Sequence, residues 1–198
     1  MRNCFLSLLL CASVLTYSQD KKTDFTDAFR VIDTWVQAQV DYEKLPSVSI
    51  AIVKDQETIW TKAYGYANTE GKVQATSSTV YSICSISKLF TSIAIMQLYE
   101  QGKLRLDDSV AALLPAFKIK QQYEDSGPIT VRSLLTHSSG LPRESNHPYW
   151  SAPEFSFPTE KEVNEGLPKQ ETLYRASERF QYSNLGMTLL GEIVAEIS

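Results

Sequence analysis

Histidine and cysteine are scarce in this sequence, with two and three copies in 198 residues, and the shortage closes off some chemistry. Cys4 and Cys11 fall in an N-terminal segment expected to be removed, which leaves Cys84 as the lone cysteine of the mature chain. No internal disulfide can then form, even in a compartment that tolerates one. His137 and His147 with a single cysteine cannot assemble a recognisable zinc site. Basic side chains are also few: 19 Lys and Arg against 23 Asp and Glu give a net charge of -4. There is no positive footprint for nucleic acid, so a small molecule or peptide is the expected ligand. No Gly-x-Ser-x-Gly nucleophile elbow occurs, nor any internal repeat. The remaining composition, 43% hydrophobic and 21% charged, is that of a globular chain of one domain or slightly more.

Long apolar runs are missing as well. Arg2 is followed by an apolar run from Phe5 to Leu15 and then by Thr16-Tyr17-Ser18. That run is well short of the ~20 residues a membrane span needs and has the make-up of a signal peptide. Cleavage is expected after Ser18, so that 1-18 is a leader and 19-198 the exported domain, periplasmic or secreted. Leu10, bulky where a small residue is usual, argues against lipid anchoring at Cys11.

In chain order, Phe25, Phe29, Ile32, Val36 and Val40 recur at threes and fours and predict an amphipathic helix capped by Thr23 or Asp24. Val48 to Val53 alternates as a strand, and Thr58 to Tyr66 is its hairpin partner across a Lys54–Glu57 turn. Asn68 to Lys72 reads as a second turn leading away. Ile86, Leu89, Phe90, Ile93 and Met96 place one apolar face, expected to be buried, on a helix that runs from Ser85 to Gly102. Short helices follow at Ser109–Leu114 and after Thr130. Residues 141 to 170, with five prolines among aromatics, form a long irregular segment of the kind that serves as a lid or binding loop. Ser183 or Asn184 then caps a last helix with Leu189, Leu190, Ile193, Val194 and Ile197 on one face. One hairpin is marginal as a sheet, so further strands are expected beyond Ser198.

Few residues remain that could do chemistry. Gly65 to Lys72 imitates a phosphate loop, but its glycines are one residue too far apart and Val73 stands where Ser or Thr should bind magnesium. Ser-x-x-Lys occurs at Ser18–Lys21 and at Ser85–Lys88. The second copy opens an apolar helix, where Ser85 and Lys88 share one side. Partial desolvation there would favour a neutral amine able to take the serine proton, and the helix start favours an oxyanion. Standing alone, the pair is better accounted for as a capping serine followed by a snorkelling lysine, since both are common. Tyr-x-Asn occurs at Tyr66–Asn68, in a strand and turn, and at Tyr182–Asn184, at a helix entrance where phenol and amide could be held over a pocket. His137 reads as a structural residue of a helix-ending turn. Tyr149, Trp150, Phe155 and Phe157 either line a substrate cleft or pin the long loop, and Cys84 reads as a small buried filler.

Together SISKLFTSIAIMQLYEQGKLRLDDSV (Ser85 to Val110), LLTHSSGLP (Leu134 to Pro142) and FQYSNLGMTLLGEIV (Phe180 to Val194) resemble the serine β-lactamase-like family. It includes class C β-lactamases, D-Ala-D-Ala carboxypeptidases and related esterases. The resemblance implies an α/β (α+β) fold of the β-lactamase/transpeptidase type: an antiparallel sheet with flanking helices plus a helical subdomain, the C-terminal strands missing. It also implies that Ser85 is the acyl-accepting nucleophile, Lys88 its base, Tyr182 a proton-handling group toward the leaving group, and Asn184 a substrate-amide contact. Tyr149 and Trp150 would be substrate-binding, with no metal or organic cofactor. The substrate would be a β-lactam, a D-Ala-D-Ala-type peptide or a short-chain ester. Two departures stand out. Many relatives carry Pro-Gly a few residues before the Tyr-x-Asn motif, whereas this chain has Arg175-Ala176-Ser177-Glu178, and the third family motif, Lys-Thr-Gly or His-x-Gly, is absent. The alternative is therefore a non-catalytic module binding cell-wall fragments or a protein partner, or an inactive fragment.

Overall fold

A computed structural model of the chain describes residues 24–147 and 156–198. The expected leader and its cleavage site, Thr23, Tyr149, Trp150 and Phe155 lie outside the described residues. The chain forms two compact units, Met1–Tyr81 and Ser82–Ser198.

In the first unit, helix α1 (Thr26–Glu43) starts where the Asp24 carboxylate accepts the Thr26 N–H at 2.9 Å. It ends at Lys44 in the left-handed conformation. Strands β1 (Ser47–Lys54) and β2 (Glu57–Asn68) pair antiparallel. Asp55 and Gln56, both at positive φ, make the two-residue turn that suits the strand twist. The Asn68–Lys72 turn does not lead away from the sheet. It returns into β3 (Val73–Gln74), held by Asn68 Oδ1 accepting the Gly71 N–H at 2.7 Å, so the sheet has three strands in the order β1-β2-β3. Val36 and Val40 of α1 are buried against Tyr64 of β2, with Val48, Ile50 and Trp60 around them. Asp33 of α1 fastens the same face by accepting from Lys62 at 2.6 Å and Tyr64 at 2.8 Å. Burial, with the Asp33 carboxylate beside it, pushes the Tyr64 phenol up to about 12.

The second unit is helical. A single 3-10 turn at Cys84–Ile86 feeds α2 (Ser87–Glu100). Then come α3 (Val110–Leu113), α4 (Val131–Leu135), α5 (Glu160–Gly166) and α6 (Asn184–Ile197). Thr130 caps α4 in a reciprocal box with Ser133. The core joins Ile95 and Leu98 of α2, Val131 and Leu134 of α4, and Leu189, Leu190 and Ile193 of α6, with Leu141 from a loop and Leu167 from the 3-10 turn Leu167–Lys169 after α5. Each such side chain contributes on the order of 1.5–3 kcal/mol of transfer free energy.

Three further expectations are corrected. The face of α2 that carries Ile86, Leu89, Phe90, Ile93 and Met96 is exposed, and Phe90 keeps 62% of its surface. The core takes Ile95 and Leu98 instead, because α6 packs on that side of α2. Cys84 is exposed, not a buried filler. The long segment also contains α5, whose Thr159-x-x-Glu162 capping box was a legible start signal among the prolines.

Candidate active site

Ser85 is delivered by backbone geometry. Cys84 before it is held at a left-handed φ of 46°, and the Ile86 N–H bonds back to the Ile83 carbonyl at 3.0 Å. That bend presents Ser85 at the surface as the chain enters α2. Lys88 falls three residues on, on the same side, and its Nζ donates to Ser85 Oγ at 3.1 Å. From 97 residues away Tyr182 brings its hydroxyl to 2.9 Å from the same Oγ.

The Tyr182 loop is laid on the segment that follows α4. The Gln181 N–H donates to the His137 carbonyl at 2.6 Å, and the Ser183 hydroxyl donates to the Pro142 carbonyl at 2.6 Å. The Asn184 N–H reaches the Arg143 carbonyl at 2.7 Å. Ser183 Oγ in turn accepts the Gly186 N–H at 2.9 Å, so it caps α6 while it fastens the loop.

The electrostatics favour an ionised phenol. Hydrogen bonds from Lys88 and Ser85 hold the Tyr182 phenol below its usual value, with a further pull from the Lys88 and Arg143 charges. The Lys88 amine lies 5.0 Å and the Arg143 guanidinium 4.9 Å from the centre of the Tyr182 ring. Asn184, at the first turn of α6, donates from Nδ2 to Glu144 Oε1 at 2.7 Å. Ser85, Lys88, Glu144, Phe157, Asn184 and Met187 are among the walls of one cleft of about 750 Å³. Phe157 thus stands at the cleft, as one of its two sequence readings has it. Arg143 and Glu144 were not singled out from the sequence. Their only signal is that they directly follow LLTHSSGLP. Among the described residues no three His, Cys, Asp or Glu side chains converge as a metal site requires.

A serine hydroxyl held between an amine and an acidified phenol at the rim of a cleft is an arrangement for nucleophilic acyl transfer. The pattern of the beta-lactamase family matches residues 32–198. The chain belongs to the beta-lactamase family. Members of this family are serine hydrolases, and the fold is the β-lactamase/transpeptidase type with a three-stranded antiparallel sheet and helices. The chain is 31% identical over 176 residues to Protein flp of Staphylococcus aureus, covering 87% of this chain and 34% of that protein. It is similar to the octameric penicillin-binding protein homologue from Pyrococcus abyssi, with 33% identity and a TM-score of 0.73 over 85% of this chain and 39% of the other. A class C beta-lactamase structure matches with 25% identity and a TM-score of 0.68, covering 88% and 46%. The chain spans about a third of the length of the curated relatives it matches.

Proposed function

We propose that the protein is an exported serine hydrolase that forms an acyl-enzyme on Ser85 from an amide or ester: a β-lactam, a D-Ala-D-Ala-type peptide or a short-chain ester. The observation that carries this reading is Ser85 Oγ held 3.1 Å from Lys88 Nζ and 2.9 Å from Tyr182 Oη. In the first step Oγ adds to the substrate carbonyl carbon and its proton passes into the Lys88–Tyr182 pair. The backbone N–H of Ser85, at the entry to α2, is one donor for the oxyanion. As the C–N or C–O bond breaks, Tyr182 returns the proton to the leaving group. Water then adds to the Ser85 ester and releases the acid. Asn184, steadied by Glu144, borders the cleft where the substrate amide would lie.

The test is to incubate the full-length protein with a fluorescent penicillin or an activated ester and map the labelled peptide by mass. The label is expected on Ser85, and labelling that survives Ser85→Ala overturns the assignment. Export rests on Arg2 and the apolar run from Phe5 to Leu15, and N-terminal sequencing of the mature protein should begin at Gln19.

A further inference from the structure

The proposed chemistry leaves His137 without a role, yet this residue touches the Tyr182 loop through both its backbone and its ring. We propose that His137 is a positioning residue for Tyr182: its neutral imidazole accepts the Ser183 N–H at Nδ1, and its ring packs on the phenol ring.

The two backbone N–H groups that bracket Tyr182 both end on His137. The Gln181 N–H meets its carbonyl at 2.6 Å and the Ser183 N–H meets Nδ1 at 3.2 Å. Between those anchors the imidazole lies 4.7 Å from the Tyr182 ring at 33°, and 5.8 Å from the Phe180 ring edge-on at 82°. The residue thus holds three consecutive parts of the loop: a ring before Tyr182, the Tyr182 ring, and the amide after it. His137 is itself fixed, at a left-handed φ of 54° with its N–H on the Leu134 carbonyl at 3.1 Å. That places it directly after the capped helix α4.

This arrangement requires one protonation state. An imidazole whose Nδ1 accepts must carry its single proton on Nε2, because imidazolium has a hydrogen on both nitrogens and accepts at neither. The surroundings keep it neutral: burial first, then the Lys88 charge, hold His137 below its usual value. The charged and titratable groups about the shared Tyr182 ring are Lys88 from α2, Arg143 from the loop after α4 and the phenol itself. Lys88, the cation that acts on His137, opposes a further positive charge there.

The inference deepens the proposed function, since it rests on Tyr182 as a proton-handling group for its effect on rate. The test therefore reads two things in full-length protein. One is the titration of the Tyr182 phenol by tyrosine ring-carbon NMR, with the resonance assigned through Tyr182→Phe. The other is the rate of Ser85 acylation by a fluorescent penicillin or an activated ester. In His137→Ala the Tyr182 titration is expected to move up toward the free value of about 10. Acylation should slow on the order of a hundredfold, the scale of a misplaced reacting group. His137→Asn, which offers Oδ1 near the place of Nδ1 and tolerates the left-handed backbone, should recover most of both.

An unchanged Tyr182 titration in folded His137→Ala overturns the proposal. So does equal impairment of the Asn and Ala variants, which would mean that bulk alone matters. Should the Ala variant not fold, a wild-type titration in His137→Asn supports the proposal and a free-tyrosine titration there overturns it. Wild-type acylation by Tyr182→Phe would sink the reading of Tyr182 as a proton carrier, while the Tyr182 titration in the His137 variants would still decide the positioning role.

Discussion

Tyr182 sets the expected pH behaviour of the site. Its phenol is held below the ordinary value by hydrogen bonds from Lys88 and Ser85, so the proton-accepting form becomes available at lower pH than for a free tyrosine. The acylation rate of Ser85 should rise with pH through a step that lies below about pH 10. Tyr182→Phe should remove that step and lower the rate by roughly 10²–10⁴, the usual worth of a positioned acid or base. Burst rates measured from pH 5 to 10 give the answer, and a rate limb that persists unchanged in the Phe variant contradicts it. His137 gives a second dependence, in stability. Its folded value is depressed, so at a given pH below about 6.5 the unfolded chain binds more protons. The stability tied to the neutral ring is present above that pH and is lost as pH falls from there through the folded value. Urea midpoints at pH 7.5 and 5.5 should fall further for the wild type than for His137→Asn.

Among the elements, the join between the segment after α4 and the Tyr182 loop is the most sensitive. Gly140, at a φ of 76°, lies so close to the Tyr174 carbonyl that a β-carbon would stand 2.1 Å from its oxygen. Gly140→Ala should therefore cost more than about 2 kcal/mol, from left-handed strain and a backbone clash together. Thermal melting with acylation as a parallel readout checks this, and a variant as stable as the wild type contradicts it. Ser177, in the stretch where the sequence departs from the family pattern, holds a φ of 66°, a left-handed conformation that strains a residue with a side chain. Arg175 nearby pairs with Asp125 at 2.9 Å, and the Ser177 N–H reaches the Ser138 carbonyl at 2.7 Å. Ser177→Gly should raise stability by roughly 0.5–1 kcal/mol, since the left-handed penalty exceeds the added freedom of the unfolded chain. The hairpin, the helices other than α5 and a cap at Ser183 or Asn184 were legible because periodicity and capping are local. The encounter of Tyr182 with Ser85 was not. It depends on hydrogen bonds between backbones 40 or more residues apart, such as the Gln181 N–H to the His137 carbonyl and the Asn184 N–H to the Arg143 carbonyl, which side-chain patterns do not encode. The buried side of α2 was misread for a related reason: apolar residues occupy both sides of that helix, and only its neighbours decide which one is covered.

On the scale of the molecule, the exposed row Ile86, Leu89, Phe90, Ile93 and Met96 is a contiguous apolar surface, and such surfaces drive association. Among the described residues the outer strands β1 and β3 pair on one side only, and open edges invite association. The 198-residue chain should sediment as concentration-dependent oligomers, and Phe90→Glu with Ile93→Lys should shift it toward monomer. A sharply melting monomer at high concentration would contradict this. The join that carries Tyr182 has a further consequence in time. A ribosome releases Ser85 and Lys88 about a hundred residues before Tyr182, and domains begin to fold during synthesis. Through that interval the hydroxyl has its amine but not its phenol. Only when the residues around Ser183 emerge and find the Pro142 carbonyl does the nucleophile gain its second partner, so the growing chain carries an incomplete and chemically quiet serine.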